Sequence, residues 1–305
     1  MTEVKKEGLI ELQGMTKDYG SGRGVFEENL SIDQGEMIGF VGTNGSGKTT
    51  TIRSILGFIQ PTAGHAFVNG MESWHNQAEI ARLVGYVPGE IAFPDLKTGI
   101  NFLKSQASFL GMQSFDYANQ LIEELQLDPR ANLKRMSKGM KQKTALVAAL
   151  MNDAPIIILD EPTTGLDPLM RDAFLEIIRR EHKKGKTIFM SSHIFNEMEE
   201  TCDRVALISD GHIIDIANMD EIRNRSVTDF KIEFNDRISY EHFKHCGYKI
   251  IRDQEQYNQV TISIDKDSIN DLFKTLNGMN VKFISEVLYT LEKHFNEIMT
   301  RKEIV

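Results

Sequence analysis

No stretch of this sequence reaches the roughly 20 consecutive apolar residues that a membrane-spanning helix needs, and the apolar run PIIILD is short and ends in an acid. The N-terminus, MTEVKKEGLIEL, is charged and lacks a long apolar core, so no secretory leader is expected there. Cysteine is scarce. Cys202 and Cys246 stand in unrelated settings, which argues against a disulfide framework and fits a reducing cytosol. Positive charge is also in deficit: 35 Lys and Arg against 44 Asp and Glu give a net charge of −9. That balance argues against general nucleic-acid binding. The lysines of KGMKQK form a local cluster, such as a solvated helix face carries. Low-complexity tails, internal repeats and Pro/Gly-rich linkers are all missing.

What is present is an ordinary globular composition, 41% hydrophobic over 305 residues, enough for one large domain or two smaller ones. LIELQGMTKDYG, MIGFV, HAFVNGM, IIILD, TIFMSS and RVALISDGHIID read as strands. IIILD is apolar up to its terminal acid, as a central parallel strand would be. GINFLKSQASFLGM, SFDYANQLIEELQL and ALVAALM have helical spacing, so residues about 96–150 read as a helical insertion in an α/β core. The texture changes after about Asp220. DFKIEFN, YKIIRDQ and QVTISID read as strands, and EHFKHCG, INDLFKTLNG and LEKHFNEIMTRK as helices. The expected domains are therefore 1–220 and a small α/β domain over 221–305.

The stretch richest in chemistry is GTNGSGKTT, Gly42 to Thr50, placed between an apolar strand and a helix start. That is the context of a phosphate-binding P-loop, where successive backbone N–H groups and the helix N-terminus attract anions. Gly42 and Gly45 are expected to allow tight turns, and Gly47 to let the backbone approach the phosphates. Thr43, Asn44 and Ser46 complete the loop. Lys48 can reach the β- and γ-phosphates, Thr49 can ligate Mg²⁺, and Thr50 adds a hydroxyl nearby. In IIILDEP, Asp160 ends a strand, where α/β sheets present ligands, and can hold Mg²⁺ through oxygen or water. Glu161 can orient the attacking water. His193, after the strand TIFM, can sense a γ-phosphate. MSKGMKQK, carrying Ser137, Lys138, Gly139 and Met140, has two readings: an ordinary serine N-cap, or a second phosphate-facing helix start.

Together and in this order, these motifs resemble the ATPase subunit of ATP-binding-cassette (ABC) transporters, over about residues 7–220. The resemblance implies a P-loop NTPase ABC ATPase fold, α/β in class, with a helical subdomain and the small C-terminal domain appended. GTNGSGKTT matches the Walker A motif, and IIILDEP matches Walker B with Glu161 at the catalytic position. Ser137–Met140 stand at the signature motif, Asp167 in TGLDP at the D-loop, and His193 at the switch histidine. Tyr19 stands where the family stacks an aromatic on adenine. The resemblance further implies ATP and Mg²⁺ as ligands and a second ATPase subunit completing each nucleotide site. It also implies integral membrane permease subunits as partners and a place on the cytoplasmic face of the membrane. SKGM in place of SGGQ is similar to the group paired with ABC-2-type export permeases. A second departure is Gly89, where the family has a glutamine that meets Mg²⁺. Either Glu90 substitutes or water fills that role. A soluble ABC-type ATPase with a regulatory or nucleic-acid role is the competing reading, along with an ATP-binding module that barely hydrolyses. The C-terminal domain could steady a dimer, meet a regulator or pack on the permease.

Overall fold

The computed structural model describes residues 8–303. Residues 1–7, on which part of the reading of the N-terminus rests, lie outside the described residues. The chain divides into two compact units between Asn218 and Met219.

The first unit is built on a six-stranded sheet. Its order is His212–Asn218, Arg204–Ser209, Met37–Val41, Thr187–Ser192, Ile156–Asp160 and Val84–Val87. All neighbours are parallel except the first pair, which forms a hairpin. Every residue of Met37–Val41, Ile156–Asp160 and Thr187–Ser192 is buried. A parallel sheet covered on both faces demands that, and it is why these strands read as predominantly apolar runs. The polar ends of two of them, Asp160 and Ser191-Ser192, are buried too, so each must find partners inside the protein.

A second, antiparallel sheet has the order Gly24–Ile32, Ile10–Asp18, Ala63–Val68 and Met71–Glu72. The helix Lys48–Ile55 packs with both sheets: Ile52 and Ile55 share one core with Ile10, Leu12 and Ile32, and with Ile38, Phe40 and Ile158. Alternation in Gly24–Ile32 breaks at a bulge. Glu27 takes a left-handed φ of +51°, and Val25 and Glu28 both become buried. A two-residue period alone would put them on opposite faces.

Helices Gly99–Phe109, Asp116–Glu124 and Lys138–Leu150 fill the segment read as helical. Thr98 and Ser137 cap the first and third, accepting from the N–H of Asn101 and Met140. Polar side chains tie Asp116–Glu124 to the helix Pro168–Lys183. The Tyr117 hydroxyl donates to Glu181, and Arg180 donates to both oxygens of Glu124 at 3.0 Å.

The second unit opens with the short helix Met219–Arg223 and then runs strand, helix, strand, strand, helix, strand. Its antiparallel sheet has the order Lys249–Gln254, Gln259–Asp265, Val227–Phe234 and Val281–Val287. Helices Arg237–Lys244 and Ile269–Leu276 share one core with it, through Phe230, Ile232, Tyr240, Phe243, Ile262 and Leu272. This is the split βαβ arrangement, followed by the helix Leu291–Glu303. The strand Val281–Val287 has no counterpart in the sequence reading. Among the described residues no helix is long and apolar enough to cross a membrane.

Candidate active site

The loop from Gly42 to Gly47 leaves the buried strand Met37–Val41 and enters the helix Lys48–Ile55. Gly45 and Gly47 have φ of +84° and +115°, where side chains are disfavoured. Gly42 lies outside that region and is required for space instead. A Cβ there would stand 2.2 Å from the Ile208 carbonyl oxygen and 2.6 Å from Ser46 Oγ. Gly42 thus permits close packing and not a left-handed turn, and Gly47 supplies the left-handed entry to the helix. Thr43, Asn44 and Gly45 are exposed, whereas Ser46 and Lys48 are buried. Lys48 Nζ donates to the carbonyls of Gly42 at 2.9 Å and Thr43 at 3.2 Å, and stands 3.3 Å from Glu161 Oε1.

Two acids meet this loop. Thr49 Oγ1 donates to Asp160 Oδ2 at 2.7 Å, and the other oxygen, Oδ1, accepts from Ser191 Oγ at 2.6 Å. Glu161 Oε2 lies 2.6 Å from His193 Nδ1. Glu161 therefore bridges a lysine on one element and a histidine on another. It does so from a left-handed backbone, φ +51°, which a non-glycine residue adopts rarely. Thr50 is half-buried beside Thr49 on the same helix.

The other residues singled out in the sequence stand apart from this cluster. Asp167 caps the helix Pro168–Lys183, accepting from the Met170 N–H at 3.0 Å. Ser137, Lys138, Gly139 and Met140 form the start of Lys138–Leu150 and lie against the same turn. A Cβ on Gly139 would stand 2.6 Å from the Gly165 carbonyl oxygen, and Gln142 Nε2 donates to the Pro162 carbonyl at 2.8 Å. Among the described residues, no hydrogen bond or ion pair joins Ser137–Met140 to Gly42–Thr50. Tyr19 is 50% exposed, with Lys17 Nζ 5.5 Å from its ring centre. Glu90 is exposed and makes no hydrogen bond or ion pair among the described residues. Gly89 instead lies against Asp160, where a Cβ would stand 3.0 Å from Oδ2.

Three further groups have no role in the sequence reading, although Ser191 belongs to the run Ser191-Ser192-His193 that ends the strand TIFM. Ser191 links the two acids. Glu197 is buried and accepts from Thr163 Oγ1 at 3.0 Å and Ser192 Oγ at 3.3 Å. Burial raises its carboxyl above the usual range against those hydrogen bonds. Tyr86, on the strand beside Ile156–Asp160, is pushed up to about 12 by burial and by the charge of Asp160.

Chemically the cluster is a polyanion and cation site. The helix start and Lys48 favour phosphate oxygens, and the buried hydroxyl of Ser46 has no hydrogen-bond partner among the described residues. One carboxylate and one hydroxyl 2.7 Å apart suit a hard divalent cation whose other ligands are phosphate and water, the usual manner for Mg²⁺. Asp160 and Thr49 would hold that ion. These residues fit ATP and Mg²⁺.

The family model described as "ABC transporter" matches residues 26–164. The bacitracin transport ATP-binding protein BcrA of Bacillus licheniformis is 32% identical over 304 residues, spanning 95% of this chain and 97% of that protein. The protein of the same name from Enterococcus faecalis is 28% identical over 300 residues, spanning 96% and 97%. Among solved structures, one described as the ATP-binding subunit of an ABC transporter superposes with a TM-score of 0.65 at 30% identity, spanning 70% of this chain and 92% of that one.

Proposed function

The chain belongs to the family of ABC transporter ATP-binding subunits, with the P-loop ABC ATPase fold, and from that premise we propose that it hydrolyses ATP to drive an ABC-2-type exporter. The observation that carries this reading is the convergence on Lys48 and Thr49 of Glu161, at 3.3 Å, and Asp160, at 2.7 Å, with His193 2.6 Å from Glu161. In this reading Gly42–Thr50 and Lys48 hold the triphosphate, and Tyr19 stacks on the adenine. Thr49 and Asp160 would hold Mg²⁺, which would supply positive charge to offset that of the phosphates. Glu161 orients and polarises the attacking water, and His193 keeps Glu161 placed while reporting the γ-phosphate. Gly89 approaches Asp160 by its backbone, which favours water over Glu90 as the remaining ligand.

Each site is composite. Among the described residues Ser137–Met140 make no bond to the phosphate loop of their own chain, and in this reading they face the nucleotide of a second copy. Their helix N-terminus supplies electrostatic stabilisation there. Asp167, on the turn against which that helix start packs, couples the two sites. The work is assigned to residues 1–220, with the helical subdomain at about 96–150. Transport itself requires separate membrane permease subunits, which hold the ATPase at the cytoplasmic face. A groove of about 260 Å³ whose lining includes Ile91, Phe93, Phe102 and Phe109 fits that contact, and Phe109 in it is 87% exposed. The exporter class rests on SKGM at the signature position, and relatives named for bacitracin transport support a role in transport.

Sedimentation velocity of the full chain tests the composite site. The Glu161→Gln variant with Mg²⁺ and ATP is expected to sediment as a dimer and with ADP as a monomer. A monomer under both conditions would contradict the two-copy site.

A further inference from the structure

Successive residues of a strand face opposite sides. At the end of Thr187–Ser192 this sends two buried hydroxyls in different directions. Ser192 Oγ donates to Glu197 Oε2 at 3.3 Å and accepts from the Ile194 N–H at 2.9 Å. Ser191 Oγ reaches the neighbouring strand, whose parallel register sets Asp160 opposite it. There it donates to Asp160 Oδ1 at 2.6 Å and accepts from the Glu161 N–H at 3.1 Å.

Both contacts bear on the reacting groups. Asp160 Oδ2 is already held by Thr49, so the Ser191 hydroxyl fixes the second oxygen and with it the plane of the carboxylate. The Glu161 N–H is shared between Ser191 Oγ and the Ser191 carbonyl, which lies at 3.2 Å. These bonds hold a left-handed turn at Glu161, and that turn aims its carboxylate at Lys48 and His193. A hydroxyl has one proton to donate and lone pairs to accept with. Ser191 gives its proton to one acid and accepts from the backbone of the next.

We propose that Ser191 is a positioning residue of the hydrolytic site, setting the metal-facing carboxylate of Asp160 and the backbone turn of Glu161 through one side chain. The inference rests on the ATPase reading above. Alanine at this position would remove a hydrogen bond to a charged oxygen and leave the Glu161 N–H with the Ser191 carbonyl alone.

The test compares the wild-type chain with Ser191→Ala and Ser191→Thr. A fluorescent ATP analogue is titrated with and without Mg²⁺, and steady-state hydrolysis is measured alongside. Ser191→Ala is expected to lower kcat about tenfold or more and to raise the half-saturating Mg²⁺ concentration by a similar factor, the loss of one hydrogen bond to a charged group. KM for ATP and Mg²⁺-free nucleotide binding should stay within about twofold, since the phosphate loop is untouched. Ser191→Thr, which keeps the hydroxyl, should recover both losses to within about threefold of the wild type. An alanine variant with unchanged kcat and Mg²⁺ dependence overturns the inference. So do alanine and threonine variants that fail equally and lose Mg²⁺-free binding, which would mark a packing defect. A wild type that neither binds nor hydrolyses Mg²⁺-ATP would strike the ATPase reading itself and this inference with it.

Discussion

Replacing Glu28 by glutamine is expected to stabilise the protein increasingly as pH rises. Glu28 is 1% exposed, beside the helix that carries Lys48 and Thr49, and its two oxygens accept from Thr51 Oγ1 at 3.0 and 2.9 Å. Burial pushes its carboxyl from 4.5 up to about 8, against the lowering effect of the Thr51 hydrogen bond. The sign follows from linkage. In the unfolded chain Glu28 ionises near 4.5, while in the fold it stays protonated up to about 8. Its contribution is therefore fully present below pH 4.5 and is lost progressively as pH rises towards 8. At about 1.4 kcal/mol per unit, the loss reaches roughly 3 kcal/mol at pH 7. Glutamine is near-isosteric with the protonated acid and has nothing to lose. Its second amide hydrogen adds a cost of about 1–3 kcal/mol if unpaired, but that cost does not vary with pH. The diagnostic is therefore the slope, read from urea unfolding of the full chain and of Glu28→Gln between pH 5 and pH 8. The difference between them should grow by roughly 1.4 kcal/mol per pH unit through pH 7. A difference that stays flat across this range would refute a neutral, buried Glu28.

Gly42→Ala places a methyl 2.2 Å from the Ile208 carbonyl oxygen. It should cost about 1–3 kcal/mol in unfolding free energy and weaken nucleotide binding, measured by calorimetry. Gly89→Gln brings a Cβ within 3.0 Å of Asp160 Oδ2, so the Thr49–Asp160 pair should be disturbed and the half-saturating Mg²⁺ concentration should rise. An unchanged Mg²⁺ titration would mean that Asp160 has room to yield. Phe243→Ala removes a ring stacked on Tyr248 at 5.2 Å and packed on Phe234 at 5.4 Å. Chemical denaturation should show a loss of about 3–5 kcal/mol from the second unit.

The parts of the fold visible in the sequence are those set by local chemistry. MIGFV, IIILD and TIFMSS announce themselves because burial on both faces permits few polar residues. The phosphate loop is legible because glycine spacing, lysine and the following helix are contiguous. Val281–Val287 is not visible, for a physical reason. Among the described residues it is an edge strand paired only with Val227–Phe234 and interrupted by a bulge, and its exposure follows no two-residue period. Glu28 is hidden for a related reason: VFEENLSI reads as a strand with two adjacent acids, and only the left-handed Glu27 turns the second one inward. Ser191 sits next to the conspicuous His193, yet its partners are 30 and 31 residues away. That contact depends on the register of two parallel strands, which no linear pattern displays.

The central claim, that this cluster hydrolyses ATP with Glu161 placing the water, is tested most directly by steady-state hydrolysis of Mg²⁺-ATP by the wild type and Glu161→Gln, with nucleotide affinity measured on both. The variant should lose about 100-fold or more of the rate, as expected when a general base is removed, while affinity stays within about threefold because the phosphate loop and Lys48 are intact. Hydrolysis that continues unchanged in Glu161→Gln would contradict the claim.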